Sequence, residues 1–334
     1  MMTSSPSGKA RVVVIEPGYE SYRTETEILS AFGAILEPVD WKGDEGVIID
    51  SVREADAVLV RESPIGGEAI AGMTRCRAIV RYGVGVDNID LEAARQRRIF
   101  VANVPDYGAD EVSDHAVALL LAVARHLTKR DRDVRAGVWG VGQREKVYAI
   151  RGRTLGILGY GHIGRRFHRK MLAFGVDRTL VCSPDLPAAE AAAAGVTKVD
   201  LDTLCSESSL LSLHTPHTRH THHIIGSREF ALMPSDTIVV NTARGPLIDE
   251  TALCSSLREQ RIFGAGIDVY EQEPPAADNP LFDLPNVVLS DHTGWYSESS
   301  VVELQTKAAN EIARVFGGNK PVSWVNPWNV DEQA

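Results

Sequence analysis

The stretch TLGILGYGHIGRRFHRKMLAFG, residues 154–175, has the pattern of a strand, a glycine-rich turn and a helix. It begins with an apolar run typical of a β-strand and continues with G-x-G-x-x-G at Gly159, Gly161 and Gly164. It ends with apolar residues at helical spacing, namely Ile163, Phe167, Met171 and Phe174. The first glycine permits a tight turn, the second lets backbone approach a pyrophosphate, and the third lets helix pack on strand. A bare motif also occurs in structural turns, but the strand before it and the helix after it favour a dinucleotide-binding unit.

The end of the following strand bears on the choice of dinucleotide. This fingerprint usually has an acidic residue about 20 positions on, which binds the ribose hydroxyls of NAD. Here the sequence has Ser183 at that position and Asp185 two residues later. No cation that could bind the 2′-phosphate of NADP lies between Arg178 and Lys198. We therefore predict NAD as cofactor, with NADP as the alternative.

Short β-branched runs alternate with helix-length segments along the rest of the chain. The predicted strands cover residues 10–16, 55–60, 77–83, 154–159, 178–183, 210–215, 236–242, 264–270 and 286–290. Continuous apolar strands separated by helices indicate parallel sheets covered on both faces. A long helix is predicted over residues 107–127, between two such series. The pattern predicts an α/β protein with two doubly wound parallel-sheet domains.

Composition narrows the functional class. A chain of 334 residues is expected to form about two domains. The net charge of −10 argues against a nucleic-acid surface, which needs clustered Lys and Arg. The four cysteines are widely spaced and form no CxxC pair, and the first residues lack the apolar core of a signal peptide. With no apolar run near the ~20 residues of a membrane span, we predict a cytoplasmic protein with neither a nucleic-acid nor a membrane partner.

Three later segments each carry one residue suited to hydride chemistry on a 2-keto acid. They are VVNTARGPLIDE (239–250), GAGIDVYEQEPP (264–275) and LSDHTGWYSESS (289–300), and they contain Arg244, Glu273 and His292 in turn. Such chemistry needs a cation that binds and polarises the substrate, a proton donor for the carbonyl oxygen, and a carboxylate that orients this donor. Each residue alone could be structural, as a solvated arginine, a turn glutamate or a hydrogen-bonded histidine. As an ordered set at successive strand ends they favour a catalytic site.

At this point the chain strongly resembles the D-isomer-specific 2-hydroxyacid dehydrogenases, from about residue 50 to 316. The matching segments are RYGVGVDNID (81–90), VANVP (101–105), GYGHIG (159–164), NTARGPLID (241–249) and DVYEQEP (268–274). The resemblance implies a Rossmann-like cofactor domain, residues 105–295, and a discontinuous flavodoxin-like substrate domain, residues 1–104 and 296–334. It also implies a cleft between them and a homodimer, with the helix near 107–127 at the interface.

The resemblance assigns roles to individual residues. Arg244 would bind the substrate carboxylate and carbonyl, and Glu273 would pair with His292, the general acid/base. The backbone of Val84 and Gly85 would hold the substrate carboxylate, with Arg81 nearby. The expected cofactor-binding residues are Gly159, Tyr160, Gly161, His162, Ile163, Gly164, Ser183, Asp185, His214, Thr215, Pro216, Thr242, Ala243 and Asp268.

The segment HTGWYSES, residues 292–299, resembles the C-terminal-binding-protein branch of the family. By that resemblance Trp295 would form a substrate wall; the alternative is an indole buried at a domain junction. Asp291 stands where the family usually has proline. Two other functions stay open: an NAD(H)-sensing, partner-binding module of the corepressor kind, and a dehydrogenase acting on a phosphonate or phosphorus oxyanion.

The stretch HTPHTRHTHH, residues 214–223, holds five of the ten histidines. It follows a predicted strand and resembles the His-x-Pro-x-Thr cofactor loop of the family. A metal site would need converging imidazoles, usually with a carboxylate or thiolate, and the stretch contains no acid. We therefore predict a cofactor loop and no bound metal.

Overall fold

The computed structural model describes residues 9–140 and 145–328. The chain divides into two compact units. Unit 1 ends at Tyr107 and resumes at Ser297, whereas unit 2 runs from Gly108 to Tyr296. The chain therefore leaves unit 1 once, builds the whole of unit 2, and returns.

Unit 1 contains a parallel sheet, which in the described residues has five strands in the order β2-β1-β3-β4-β5. Its elements are β1 (Ala10–Ile15), α1 (Arg23–Ser30), β2 (Ala34–Val39), α2 (Glu45–Val52), β3 (Ala57–Val60), α3 (Gly67–Gly72), β4 (Ala78–Arg81), α4 (Leu91–Gln96), β5 (Phe100–Ala102) and a returning helix (Glu298–Phe316). Strands β3 and β4 are buried along their whole length, because helices cover the sheet on both faces.

A buried polar cluster joins the returning helix to the rest of unit 1. Glu25 on α1 is fully buried, and it accepts a hydrogen bond from the Tyr82 hydroxyl at 2.7 Å. The Nε2 of Gln305, on the returning helix, donates to the same carboxylate at 2.9 Å. Burial raises the pKa of Glu25. These bonds satisfy a carboxyl group that would otherwise be costly to bury.

Unit 2 contains a second parallel sheet, with strands in the order β12-β11-β10-β9-β6-β7-β8 among the described residues. Its elements are α5 (Ala109–Ala124), α6 (Leu127–Arg135), β6 (Thr154–Leu158), α7 (His162–Leu172), β7 (Arg178–Cys182), α8 (Ala188–Ala194), β8 (Thr197–Lys198), α9 (Leu201–Glu207), β9 (Leu210–Leu213), α10 (Ser227–Leu232), β10 (Ile238–Asn241), α11 (Glu250–Arg258), β11 (Gly264–Ile267) and β12 (Val287–Leu289), with 3₁₀ turns at Gly245–Leu247 and Pro280–Asp283.

The sheet order of unit 2 locates its functional edge. The chain passes from β6 to β7 on one side and later returns to β9 on the other side of β6. Loops diverge at such a switch point, so ligands of open α/β sheets bind beside the carboxyl ends of these strands. The loops after β6, β9, β10, β11 and β12 carry the predicted site residues of unit 2. The prediction of two parallel-sheet α/β domains is confirmed.

Three strands and one helix break differ from the sequence-based expectations. Strands β2, β5 and β8 are not predicted by the sequence pattern. Strand β2 is half exposed and contains Pro38, and the other two have only three and two residues. The helix predicted over 107–127 is interrupted at His126, which has a left-handed φ of 51°. No helix in the described ranges is long and apolar enough to cross a membrane.

Candidate active site

The glycine motif forms a turn in which each of two glycines is required by contact. Gly159 has a φ of 90°, and a Cβ on it would lie 2.6 Å from the backbone nitrogen of Thr215. A Cβ on Gly164 would lie 2.5 Å from the carbonyl oxygen of Gly159. The turn after β6 is therefore packed against both the loop after β9 and the start of α7.

Gly161 has the opposite environment. A Cβ built on it meets no protein atom within 4 Å, so the space in front of α7 is open. Helix α7 begins directly after Gly161, and no side chain caps it. The first N–H groups of a helix have no partner within the helix and carry its positive end. Open space beside such N–H groups suits the pyrophosphate of a dinucleotide.

The side chains around the motif point in different directions. The Tyr160 side chain is 5% exposed, and its hydroxyl lies 2.7 Å from Nδ1 of buried His168, so only the backbone of Tyr160 remains for a cofactor. His162 is exposed and Ile163 half-buried at the start of α7. Cofactor binding by Tyr160 stays a prediction, and it would involve the main chain of this residue rather than its side chain.

The loops after β9 and β10 contribute two buried polar atoms that lack a protein partner in the described residues, Nδ1 of His214 and Oγ1 of Thr242. The other ring nitrogen of His214 lies 2.9 Å from Ser212 Oγ, and burial lowers the pKa of His214 to about 3. His214 is thus neutral near pH 7. Thr215 is half-buried and Pro216 exposed.

The loop after β7 carries Ser183, which is half-buried, and Asp185, which is exposed. The Lys198 ammonium, on β8, donates to the carbonyl oxygens of Pro184 and Leu186, at 2.8 Å each. Lys198 lies 15 residues after Ser183 in the sequence, but β8 pairs with β7 and brings this lysine to the loop that carries Ser183. Strand pairing between segments about 15 residues apart is not visible in the sequence pattern.

Arg244 lies in a turn after β10, and hydrogen bonds from neighbouring residues fix the backbone of this turn. The Asn241 side chain is buried, accepts from the Ala243 N–H at 3.1 Å, and donates to the Arg244 carbonyl at 2.9 Å. The Arg244 guanidinium donates to the Ala243 carbonyl at 2.8 Å. Asn241 is a positioning residue that sequence reasoning missed, although its place in NTARG directly before the turn could have indicated it.

Glu273 and His292 are brought together although they lie on different loops. The Oε2 atom of Glu273 is 2.6 Å from Nδ1 of His292, and Oε1 accepts from the Tyr270 N–H at 3.0 Å. The carboxylate is therefore fixed by the loop after β11 and directed at the imidazole. Because Nδ1 is engaged, Nε2 is the ring atom of His292 left for proton exchange.

Asp268 begins the loop after β11 and is 1% exposed. Its Oδ2 accepts from the Gly294 N–H at 3.1 Å, and its Oδ1 accepts from the Ser290 hydroxyl at 2.6 Å. The carboxylate predicted to lie by the nicotinamide carboxamide is thus bonded to the protein segment that carries His292. In unit 2, Asp268 is a structural support of that segment.

Trp295 is half-buried three residues after His292. It packs against Gly108, where a Cβ would lie 3.2 Å from the Trp295 carbonyl oxygen, and its ring centroid is 5.7 Å from that of Tyr296. Asp291, where the family usually has proline, accepts from the Thr293 hydroxyl at 2.8 Å. Asp291 is thus bonded within its own loop.

In unit 1, the loop after β4 holds the predicted substrate-binding backbone. Val84 is exposed, and its carbonyl accepts from Asn103 Nδ2 at 2.6 Å. Within the described chain, the Val84 and Gly85 N–H groups have no protein acceptor. The Arg81 side chain is 4% exposed, pairs with Glu62, and fills the space where Gly83 would carry a Cβ. Arg81 therefore supports this loop from beneath.

Three further histidines of the 214–223 stretch contact one another and an acid from another loop, whereas His220 accepts from Arg219. His217 Nε2 lies 3.3 Å from His222 Nδ1, His222 stacks on His223 at 4.0 Å, and His223 pairs with Glu271. Among the described residues no group of three or more His, Cys, Asp or Glu is arranged to hold a metal ion.

Comparison with known proteins agrees with this geometry. Residues 117–294 match the model of the D-isomer specific 2-hydroxyacid dehydrogenase NAD binding domain. A glyoxylate reductase from Thermococcus litoralis is 38% identical over 288 residues, which cover 84% of this chain and 86% of that protein. This chain belongs to the D-isomer specific 2-hydroxyacid dehydrogenase family.

Two further similarities extend the match. A D-3-phosphoglycerate dehydrogenase from Methanocaldococcus jannaschii is 34% identical over 325 residues, 97% of this chain; the chain spans 60% of that protein's length. The crystal structure of a glyoxylate reductase from Paecilomyes thermophila has a TM-score of 0.85 and 28% identity, covering 97% of this chain and 99% of that one. The family comprises oxidoreductases acting on CH–OH donors, with NAD as cofactor.

The residues of unit 2 fit that cofactor. The open space at Gly161, the uncapped start of α7 and the unpartnered atoms of His214 and Thr242 all lie on the loops after β6, β9 and β10. The α7 N-terminus would hold the pyrophosphate, and Ser183 would lie by the adenosine ribose.

Proposed function

We propose that this protein is an NAD-dependent dehydrogenase that interconverts a small 2-keto acid and the corresponding D-2-hydroxy acid, with His292 as general acid/base. The observation that carries the proposal is the 2.6 Å contact between Glu273 Oε2 and His292 Nδ1. This pair lies in the same unit as the glycine motif and Arg244. A histidine without a catalytic role would not need a carboxylate fixed against its ring, whereas a general acid/base does.

Proton transfer is the part of the reaction that His292 would perform. When bound, NAD supplies the hydride acceptor, and NADH the hydride donor, at nicotinamide C4. Glu273 accepts a hydrogen bond from Nδ1–H of His292, which fixes the tautomer and the orientation of the ring. During reduction of the keto acid, Nε2 of His292 gives its proton to the carbonyl oxygen; during oxidation it removes the hydroxyl proton.

Substrate binding would fall to a cation and to backbone donors. The Arg244 guanidinium is proposed to bind the substrate carboxylate and polarise the carbonyl, from a turn that Asn241 holds in place. The Val84 and Gly85 N–H groups are proposed to donate to the carboxylate, with Arg81 supporting their loop. Planar guanidinium and carboxylate groups pair through two parallel hydrogen bonds, which fixes orientation as well as charge.

The predictions about substrate size, family branch, oligomeric state and location are part of this proposal. The named activity of the Thermococcus litoralis relative favours a short keto acid such as glyoxylate, and Trp295 would limit the length of the substrate chain. Assignment to the C-terminal-binding-protein-like branch rests on HTGWYSES. The homodimer, the cytoplasmic location and the absence of a nucleic-acid partner are likewise predictions.

A keto-acid panel tests the proposal. Purified protein is mixed with NADH or NADPH and with glyoxylate, hydroxypyruvate, pyruvate or phosphonate-containing analogues, and nicotinamide absorbance is followed. We expect turnover of at least one short keto acid, and a loss of at least about a hundredfold in kcat for H292Q. H126Q, a histidine substitution elsewhere in unit 2, is the matched control and retains activity.

The outcomes separate the alternatives. Turnover that survives in H292Q contradicts the assigned role of His292. NADH binding without turnover of any substrate contradicts the dehydrogenase and favours a dinucleotide-sensing module. Turnover confined to the phosphorus compounds favours the oxyanion alternative.

A further inference from the structure

His292 has a backbone conformation that its surroundings must enforce. Its φ is 58°, in the left-handed region that is uncommon for residues other than glycine. Such a conformation persists only where neighbouring contacts fix it. The orientation of the catalytic imidazole therefore depends on whatever holds the backbone here.

Asp268 holds this backbone with three hydrogen bonds. Its carbonyl oxygen accepts from the His292 N–H at 2.8 Å, Oδ1 accepts from the Thr293 N–H at 3.2 Å, and Oδ2 accepts from the Gly294 N–H at 3.1 Å. A Cβ on Gly294 would lie 2.9 Å from Oδ2, so the turn is pressed directly onto the carboxylate. Both carboxylate oxygens act as acceptors, which favours the ionised form of Asp268.

His115, on α5, contacts both that carboxylate and the serine bonded to it. Its Nε2 is 2.8 Å from Ser290 Oγ and 3.3 Å from Asp268 Oδ1. The Ser290 hydroxyl donates its single proton to Asp268 at 2.6 Å. Because that proton is used, the contact between His115 and Ser290 must be a donation from Nε2–H. His115 thus supplies a donor to both members of the Ser290–Asp268 pair.

The pKa of Asp268 depends on these hydrogen-bond donors. Burial raises the pKa of Asp268, but hydrogen bonds from His115 and Ser290, together with the charge of His115, hold it below its ordinary value. Other titratable groups near the network are Tyr270, Asp291 and Glu273, on the loops after β11 and β12, and Glu250, on α11. His115 contacts the Asp268 carboxylate itself.

We propose that His115 is a positioning residue for the catalytic histidine: it keeps Asp268 ionised and thereby holds the turn at residues 292–294 that presents His292 to Glu273. His115 acts through Asp268 and is not itself a proton donor to substrate. The inference rests on the proposed function only in calling His292 catalytic. The geometry of the network stands independently of the substrate.

Two substitutions in the full-length protein test this. H115L removes the donor at similar volume, so burial dominates at Asp268 and its protonation begins at higher pH. We expect kcat to fall about tenfold to a hundredfold, as for small misplacements of catalytic groups. We also expect the acidic limb of the kcat/KM profile to move upward by at least about one pH unit, while the alkaline limb stays in place. H115Q, which keeps an N–H donor, restores most of the rate and the acidic limb.

H168L is the structural control, because His168 is a buried histidine of unit 2 that bonds a hydroxyl without contacting Asp268. It lowers thermal stability without moving the acidic limb. An acidic limb that is unchanged in H115L, or moved equally in H115Q or H168L, overturns the proposal.

A second readout separates this inference from the proposed function. The imidazole resonance of His292, assigned by its loss in H292Q, is titrated by NMR in wild type and H115L. A changed titration in H115L with an inert wild-type enzyme supports the positioning network and contradicts the dehydrogenase. An unchanged titration with an active wild type contradicts the network alone.

Discussion

Gly245 and Tyr270 touch backbone to backbone: a Cβ on Gly245 would lie 1.8 Å from the Tyr270 carbonyl oxygen and 2.5 Å from the Glu271 nitrogen. The turn that carries Arg244 is therefore pressed against the loop that carries Glu273. This contact positions two of the three proposed catalytic residues relative to one another. A side chain at position 245 could not be accommodated without moving the backbone.

We expect G245A to lower kcat/KM by at least about tenfold, because displacing a catalytic loop by roughly an ångström costs this much or more. Steady-state kinetics with the best keto acid and the melting temperature measure the effect. G72A is the matched control: a Cβ on Gly72, at the end of α3, meets nothing within 4 Å. If both variants are equally active, the contact does not matter for catalysis.

The carboxylate of Glu273 should be needed for proton transfer by His292. E273Q preserves the shape of the side chain and removes the carboxylate that lies 2.6 Å from Nδ1 of the imidazole. A neutral amide makes weaker hydrogen bonds than a carboxylate, so the ring should be held less firmly and kcat/KM should fall at least about tenfold. E271Q removes a carboxylate of the same loop that pairs with His223 instead, and should leave kcat/KM in place. Steady-state kinetics in which E273Q is as active as wild type contradict the assigned pair.

The sequence identified most of this site because its chemistry is concentrated at strand ends. Arg244, Glu273 and His292 could be found as single residues behind β10, β11 and β12, and parallel strands put their carboxyl ends at one edge. The hydrogen bond from Ser290 to Asp268 could not be found, because it depends on how two loops fold. The contact of His115 could not be found either, since it depends on how α5 packs against the sheet. Short strands such as β8 carry too few residues to show a period.

Cofactor choice should respond to Ser183. Restoring the family's usual acid with S183D should weaken NADPH binding at least about tenfold, because a carboxylate repels the 2′-phosphate while it can accept bonds from the ribose hydroxyls of NADH. Fluorescence titration of the two reduced cofactors gives the ratio of dissociation constants. D177N, which changes an exposed acid directly before β7 at the opposite end of the strand, is the control. A ratio unaffected by S183D would show that this strand end does not read the ribose.

His214 should make unit 2 sensitive to acid. Its pKa is lowered to about 3 by burial, from an ordinary value of 6.5. A group whose pKa is lower in the folded state contributes stability that is present above its unfolded pKa and is lost as pH falls. Between pH 7 and pH 5 this amounts to about 2 kcal/mol. H214N should therefore lose less of its free energy of unfolding over this range than wild type.

Urea denaturation at the two pH values measures that difference. H220N, which alters an exposed histidine of the same stretch, should retain the wild-type pH dependence. Parallel curves for H214N and wild type would contradict a neutral, buried His214.

The bond of Glu25 to Gln305 joins residues 280 positions apart in the chain, whereas its bond to Tyr82 spans 57. During translation, every strand of the seven-stranded sheet is synthesised before Gln305. Unit 1 therefore stays incomplete until Gln305 is made, because Glu25 lacks one of its hydrogen-bond donors. Unit 2, which is synthesised later, can complete its own core before then. We expect the cofactor-binding unit to fold first on the nascent chain, and the N-terminal segment to depend longest on chaperones.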